Sequence, residues 1–127
     1  MGIRALVVDD SAVMRSMIIS TLRRSAVPVV AVHQAGDGDE ALALLAREEL
    51  DLVLIDLDMP RTDGGALFDA IRANAAWAHV ACVVVSSDAS AASDQRWSDG
   101  GAAFVQKPFT PEGVRAAVLK GLRVPRA

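Results

Sequence analysis

The sequence has few of the features that several large classes of protein require. It contains one cysteine, Cys82, so neither a disulfide framework nor a cysteine-rich metal site can form within one chain. Its longest apolar runs, such as residues 80–85, fall far short of the roughly 20 residues that a membrane-spanning helix needs. No signal peptide precedes the first apolar segment. We therefore expect a cytoplasmic protein with no membrane insertion.

The chain also has no excess of basic residues. Its 13 Lys and Arg residues stand against 16 Asp and Glu residues, which gives a formal net charge of -3. Proteins that bind nucleic acid usually carry a basic patch. We therefore expect no direct nucleic-acid partner. A length of 127 residues fits one domain.

Five short apolar segments are candidates for β-strands because each has the length and composition of a buried strand. Three of them are apolar at nearly every residue, which is typical of strands covered on both faces, as in parallel sheets. The five candidates are residues 3–8, 28–33, 51–56, 80–85 and 102–106.

Helical patterns separate the strand candidates. The first helix is predicted to begin after Ser11, a good N-cap residue, and four residues are spaced to form its apolar stripe. These residues are Val13, Met17, Ile18 and Leu22. The later helices are predicted to begin at Asp37 or Asp39, to run from about Gly65 to Asn74, to fall within 89–99, and to run from Pro111 through Leu119. Trp97 is the only large apolar residue of 89–99, so we expect a loosely packed helix 4.

Five strands that alternate with five helices indicate an α/β fold with an open parallel sheet and helices on both faces. In such sheets ligands bind beyond the carboxyl ends of the strands. Several polar side chains follow these strand ends: Asp9, Asp10, Asp56, Asp58, Ser86 and Lys107. Although one Asp after a strand is usually only a turn or cap residue, this joint placement indicates a functional site.

Several carboxylates at one sheet edge repel one another unless a cation lies between them. Hard oxygen ligands of this kind suit Mg²⁺, with Mn²⁺ as a second possibility. With a metal bound, a carboxylate can attack phosphorus and form an acyl phosphate. The metal and Lys107 would then offset charge on the transferring oxygens, and Ser86 would donate a hydrogen bond to one of them.

Five segments resemble the receiver domains of two-component response regulators. They span nearly the whole chain in the family's order and spacing. The segments are VVDDSAVMR at 7–15, DGDEAL at 37–42, DLVLIDLDMPRTDG at 51–64, VVVSS at 83–87 and FVQKPF at 104–109.

The resemblance implies a role for each residue that matches the family's motifs. Asp56 would be the phosphoacceptor, and Lys107 and Ser86 would contact the phosphoryl group. Mg²⁺ would be bound by Asp10, by the Asp56 carboxylate and by the backbone carbonyl of Asp58, while Asp9 would act through a metal-bound water. Ser86 would also act as a switch residue. The remaining implied features are an aromatic switch at Phe104 and a cis peptide bond between Lys107 and Pro108.

The resemblance also implies the architecture and the partners. The fold would be a flavodoxin-like (βα)5 three-layer sandwich with a five-stranded parallel sheet in the order 2-1-3-4-5. We expect a single receiver domain over residues 1–127, with a core at about 3–122, a short C-terminal tail and no output domain. The phosphoryl donor would be a sensor histidine kinase or a histidine phosphotransfer protein. A downstream protein would bind the face made by helix 4, strand 5 and helix 5.

Three features depart from the commoner family pattern or leave its meaning open. Asp58 and Asp88, each two residues beyond a site residue, are acidic at positions that tune the lifetime of the phosphoryl group in the family. We hypothesise that their charge, or proton acceptance by Asp58, alters water attack on the acyl phosphate. Phe104 lacks the hydroxyl of the frequent Tyr, so its switch would work through packing alone. The third feature is the weak helical segment at 89–99.

Three alternatives remain at this stage. A haloacid-dehalogenase-like phosphatase also has an Asp-x-Asp motif after an apolar strand, but that motif lies near the N-terminus in its family. A flavodoxin fits the fold class, although Asp9 and Asp10 would repel the phosphate that its first loop must bind. The third alternative is a docking module that acts without phosphorylation. We expect a signalling switch that promotes its own phosphorylation and dephosphorylation, and not an enzyme.

Overall fold

The computed structural model describes residues 2–123 of the chain. Within this range, five parallel strands form one sheet in the order β2-β1-β3-β4-β5. The strands are β1 (Ile3–Val8), β2 (Val29–Ala35), β3 (Leu52–Asp56), β4 (Ala81–Ser86) and β5 (Ala103–Gln106). The predicted strand order is therefore confirmed, and each predicted strand differs from the observed one by no more than two residues at either end.

The connections between the strands are helical. The α-helices are α1 (Ala12–Arg23), α2 (Gly38–Arg47), α3 (Gly64–Ala73), α4 (Gln95–Asp99) and α5 (Pro111–Arg123), and two 3₁₀ turns span Ala75–Trp77 and Ala89–Ser93. Helix α5 continues four residues beyond the predicted end at Leu119, so the first residues of the predicted tail, up to 123, are helical. The rest of that tail, residues 124–127, lies outside the described residues. No helix between residues 2 and 123 is long and apolar enough to cross a membrane.

Side chains that alternate along the central strands fill two separate cores, one on each face of the sheet. On β1, Leu6 and Val8 pack with α2 and α3, whereas Ala5 and Val7 pack with α1 and α5. Every residue of β3 and β4 is buried. The prediction of strands covered on both faces is thus confirmed for the centre of the sheet.

The predicted apolar stripe of α1 is wrong at two of its four positions. Val13 is 73% exposed and Met17 is 51% exposed, while Ile18 and Leu22 are buried as predicted. The helix is rotated so that Thr21 lies in the core, where its hydroxyl donates to the backbone carbonyl of Met17 at 2.9 Å. This bond satisfies the buried hydroxyl, and the Met17 side chain stays half exposed.

The weakest predicted helix is also the shortest one observed. Helix α4 has five residues, and Trp97 is its only buried side chain. The Trp97 ring meets Phe68 of α3 edge to face at a centroid distance of 5.2 Å, and its indole N–H donates to the carbonyl of Ala91 at 2.9 Å. One aromatic residue therefore anchors both α4 and the preceding 3₁₀ turn to the core.

Candidate functional site at the carboxyl edge of the sheet

Strand register brings the polar residues together. Val8 of β1 pairs with Ile55 of β3, so the next residue on each strand, Asp9 and Asp56, stand side by side. The ladder continues past the strand ends through hydrogen bonds from Leu57 N to Val85 O and from Lys107 N to Ser86 O, both 2.8 Å. The residues that follow β1, β3, β4 and β5 thus meet at one edge.

Lys107 and Asp56 form a close ion pair. The Lys107 Nζ atom lies 2.7 Å from Asp56 Oδ2, and the two side chains are 15% and 2% exposed. Burial alone would lower the pKa of Lys107, but the hydrogen bond and charge of Asp56 outweigh it and raise the pKa. Lys107 therefore stays charged beside the buried carboxylate. The peptide bond between Lys107 and Pro108 is cis.

Asp9 lies against Asp56 at the most buried part of the edge. Asp9 is 3% exposed and Asp56 is 1% exposed. Burial, followed by the hydrogen bond between the two carboxyl groups, raises the pKa of Asp9 to about 7. Two adjacent carboxylates need a shared proton or a cation between them, so this pair forms a position that favours positive charge.

Asp10 points along the same edge but has a different neighbour. Its Oδ2 accepts a hydrogen bond from the backbone N–H of Arg61 at 3.2 Å, and the Arg61 Nε atom lies 3.9 Å away. The Asp10 side chain is 9% exposed. It is therefore nearly buried and held by the loop that follows β3.

The Asp58 side chain turns toward β4 and the lysine. Its Oδ1 accepts from the Ser86 hydroxyl at 2.8 Å, its Oδ2 accepts from the Ser87 N–H at 2.7 Å, and Lys107 Nζ lies 3.3 Å from Oδ2. Burial would raise the pKa of Asp58, but these three donors outweigh it and lower the pKa to about 2. Asp58 is therefore an anion throughout the neutral range.

Asp88 and Phe104 lie apart from this group. The Asp88 carboxylate caps the 3₁₀ turn at Ala89–Ser93 by accepting from the N–H and the hydroxyl of Ser90. Only its backbone N–H reaches the site, where it donates to Ser86 Oγ at 3.1 Å. Phe104 is partly buried and packs against the core on the α2 and α3 face.

A cavity of about 450 Å³ opens at this edge, and Asp9, Asp10, Asp56, Asp58 and Lys107 all line it. Within residues 2–123, however, no three His, Cys, Asp or Glu side chains are arranged to hold a metal ion. The expected convergence of three or four carboxylates on one cation is therefore not met in this range. Mg²⁺ usually keeps several waters and takes one or two protein carboxylates, and the paired, nearly buried Asp carboxylates meet that smaller requirement.

Sequence reasoning missed two contributors to the site. Arg61 binds Asp10, and the Ser87 N–H binds Asp58. A backbone N–H is present in every residue except proline, so the sequence carried no signal for Ser87. The position of Arg61, three residues after Asp58 in the loop at the strand end, was the one signal available for it.

Comparison with known proteins assigns the chain to a family. Residues 5–119 match the family model for the response regulator receiver domain. The chain belongs to this family. Receiver domains are signalling switches and not classical enzymes; they interact with histidine kinases and downstream targets, and they generally bind Mg²⁺ for phosphorylation. Membership in this family sets aside the phosphatase and flavodoxin alternatives.

Individual relatives agree with this assignment. A probable chemotaxis protein CheY of Rhizobium etli is 30% identical over 117 residues, which cover 91% of this chain and 89% of that protein. The transcriptional regulatory protein ResD of Bacillus subtilis is 33% identical over 120 residues, but the match covers only 48% of its length. The solved structure of the chemotaxis response regulator CheY4 of Vibrio cholerae aligns with a TM-score of 0.79 at 28% identity, covering 96% of this chain and 100% of that one.

Proposed function

We propose that this receiver domain accepts a phosphoryl group from a phosphohistidine onto Asp56 in a Mg²⁺-dependent reaction. It then passes the signal on through protein contacts. The observation that carries the proposal is the Lys107–Asp56 contact of 2.7 Å beside the buried Asp9 carboxyl group. It combines a shielded nucleophile with a fixed positive charge in one cavity.

The phosphoryl transfer uses Asp56 and Lys107, which line the cavity, and Ser86, which contacts Asp58 beside them. An oxygen of Asp56 attacks phosphorus, the P–N bond of the phosphohistidine breaks, and its electron pair remains on the imidazole nitrogen, which takes a proton. Lys107 and the Ser86 hydroxyl would donate to the transferring oxygens, where charge develops. Phosphoryl transfer depends mainly on positioning and on such charge stabilisation.

Asp10, the Asp56 carboxylate and the Asp58 backbone carbonyl would hold Mg²⁺, with Asp9 acting through a bound water. Mn²⁺ would fit the same oxygen donors. When bound, the metal ion offsets negative charge on the transferring oxygens. The raised pKa of Asp9 supports this assignment because a cation would replace the proton that the two carboxyl groups otherwise need.

The signal would leave the site through Ser86 and Phe104, toward the face formed by α4, β5 and α5. Ser86 is buried at the end of β4, and Phe104 lies on the neighbouring strand β5. The match covers 89% of the probable chemotaxis protein and all of the chemotaxis response regulator, so we propose that this chain acts as a stand-alone switch, and we place it in the cytoplasm. Asp58 and Asp88 would tune how long the phosphoryl group lasts.

Acetyl phosphate and Mg²⁺ provide the test, with the intact mass of the protein as the measurement. We expect the wild type to gain one phosphoryl group and Asp56→Asn to gain none. Asp39→Asn is the matched control because Asp39 is an exposed residue of α2, and it should gain one phosphoryl group like the wild type. A protein that gains no phosphoryl group under any condition would instead be a docking module that acts without phosphorylation.

A further inference from the structure

The Asp58 carboxylate is an anion that three hydrogen-bond donors already contact. The donors are the Ser86 hydroxyl at 2.8 Å, the Ser87 N–H at 2.7 Å and the Lys107 ammonium at 3.3 Å. They come from the end of β4 and from the residue after β5, so residues far apart in the chain converge on one carboxylate. A hydroxyl, an amide and an ammonium in this arrangement form a site for anionic oxygens.

Under the proposed function, a phosphoryl group on Asp56 would draw on two of these donors, Lys107 and the Ser86 hydroxyl. Lys107 contacts Asp56 at 2.7 Å, and Asp56 and Asp58 line the same cavity as Lys107. The backbone N–H of Asp58 donates to Asp56 Oδ1 at 2.7 Å, so the two acidic residues are also linked directly. Anionic oxygens added at Asp56 would therefore lie beside the Asp58 carboxylate and repel it.

The Asp58 side chain has room to leave. It is 29% exposed, whereas the Asp56 side chain is 2% exposed. The link from its backbone to Asp56 involves only the N–H, so rotation about the Cα–Cβ bond moves the carboxylate without breaking that link. Once in water, the carboxylate is hydrated and its three donors are released.

We propose that the Asp58 carboxylate is an internal occupant of the phosphoryl-oxygen site, and that it must turn out to solvent before a phosphoryl group can be held on Asp56. This inference rests on the proposed function. Asp58 thus competes with phosphorylation, because the donors at Ser86, Ser87 and Lys107 cannot serve two anions at once. Removing the carboxylate should strengthen binding of a phosphoryl group or its analogue.

The test is binding of beryllofluoride, a tetrahedral phosphoryl analogue, at saturating Mg²⁺. We expect Asp58→Ala to bind it about tenfold more tightly than the wild type, which corresponds to about 1.4 kcal/mol. Asp58→Asn should fall between them, because an amide accepts hydrogen bonds but carries no charge to repel the analogue. Asp39→Asn, which removes one exposed acidic charge elsewhere, is the control and should bind like the wild type.

The outcomes separate this inference from the proposed function. If the wild type and Asp58→Ala bind beryllofluoride equally, or Asp58→Ala binds it more weakly, Asp58 does not compete and the inference is wrong. If no variant binds the analogue, the proposed function and the inference fail together. Urea unfolding of each variant verifies that the folded protein is being compared.

A second readout begins with the free protein. In the free protein, the Ser87 amide proton donates to a carboxylate and should resonate downfield in an NMR spectrum. Asp58→Ala should move that resonance upfield, and adding beryllofluoride to Asp58→Ala should move it downfield again as the analogue takes over the donor. A Ser87 resonance that is the same in the free wild type and in Asp58→Ala would contradict the proposal.

Discussion

The Nζ atom of Lys107 lies 2.7 Å from Oδ2 of Asp56, although 51 residues separate the two in the chain. The contact follows from the parallel register, because β4 lies between β3 and β5 and carries its hydrogen-bond ladder past the strand ends on both sides. Among residues 2–123, this is the only contact between a lysine and an almost fully buried aspartate. Its position makes it the first target for mutation.

Lys107→Ala should slow phosphorylation by acetyl phosphate at least tenfold, because the variant loses a preorganised positive charge. The variant should also lose about 1–3 kcal/mol of unfolding free energy without Mg²⁺, since Asp56 stays buried without its partner. Intact-mass kinetics and urea unfolding measure the two effects. Lys120→Ala, which alters an exposed lysine of α5, is the control; a rate for Lys107→Ala equal to that of this control would contradict the prediction.

The pH dependence of the unfolding free energy should reveal the titration of the Asp9 carboxyl group. Its pKa is about 7 in the folded protein and ordinarily 3.8, so the folded state binds the proton more tightly than the unfolded state. The resulting stabilisation is complete below about pH 4 and is lost as the pH rises through 7. Without Mg²⁺, the unfolding free energy should therefore fall between pH 5 and pH 8.

Asp9→Asn should remove most of that slope and add about 1 kcal/mol or more at pH 8, because one pKa unit corresponds to about 1.4 kcal/mol. Asp58, whose pKa is lowered to about 2, contributes its own change below about pH 4, outside this window. Urea unfolding at several pH values is the measurement. An unaltered slope in Asp9→Asn would show that another group titrates.

Gly100→Ala should destabilise the protein by about 1–3 kcal/mol. A Cβ atom at Gly100 would overlap a ring carbon of Phe68, so the buried ring or α4 must move. Gly38→Ala is the control because its Cβ would come no closer than 3.9 Å to any side chain around it. Thermal unfolding of both variants tests this prediction. Equal unfolding midpoints for Gly100→Ala and Gly38→Ala would mean that the Phe68 ring has room to shift.

Amide hydrogen exchange should be faster in residues 89–99 than in α3. Only Trp97 is buried in α4, and no residue is buried in the 3₁₀ turn before it, whereas α3 buries Leu67, Phe68 and Ile71 along with two glycines. Few buried apolar contacts lower the free energy needed for local opening. Protection in 89–99 that matches that of α3 would contradict this expectation.

The sequence predicted the fold well where one pattern determined the structure. Unbroken apolar segments such as 80–85 identified buried parallel strands. Ser11 and Asp37, the latter one of two candidates, are the true N-caps of their helices because each side chain accepts from a nearby N–H. Two of the four positions in the α1 stripe were predicted incorrectly because apolar spacing alone could not show that Thr21 is buried while Met17 is half exposed. Which face of a helix is buried depends on its partners as well as on its composition.

For the candidate site, strand ends correctly indicated which residues would gather, but not which atoms would touch. Asp58 was expected to contribute its backbone carbonyl to a metal and its side chain to phosphoryl lifetime. In the structure its side chain binds Ser86, Ser87 and Lys107. These contacts depend on the rotamer of one side chain in a loop, and no periodic pattern in the sequence encodes that rotamer.

The burial of Trp97 has a practical consequence. Its indole is 4% exposed and lies between Phe68 and the carbonyl of Ala91, on the element that the expected downstream partner would touch. The other tryptophan, Trp77, lies in the turn after α3. A rearrangement of α4 would change the polarity around Trp97 more than around Trp77, so the intrinsic fluorescence of the unlabelled protein would report such a rearrangement.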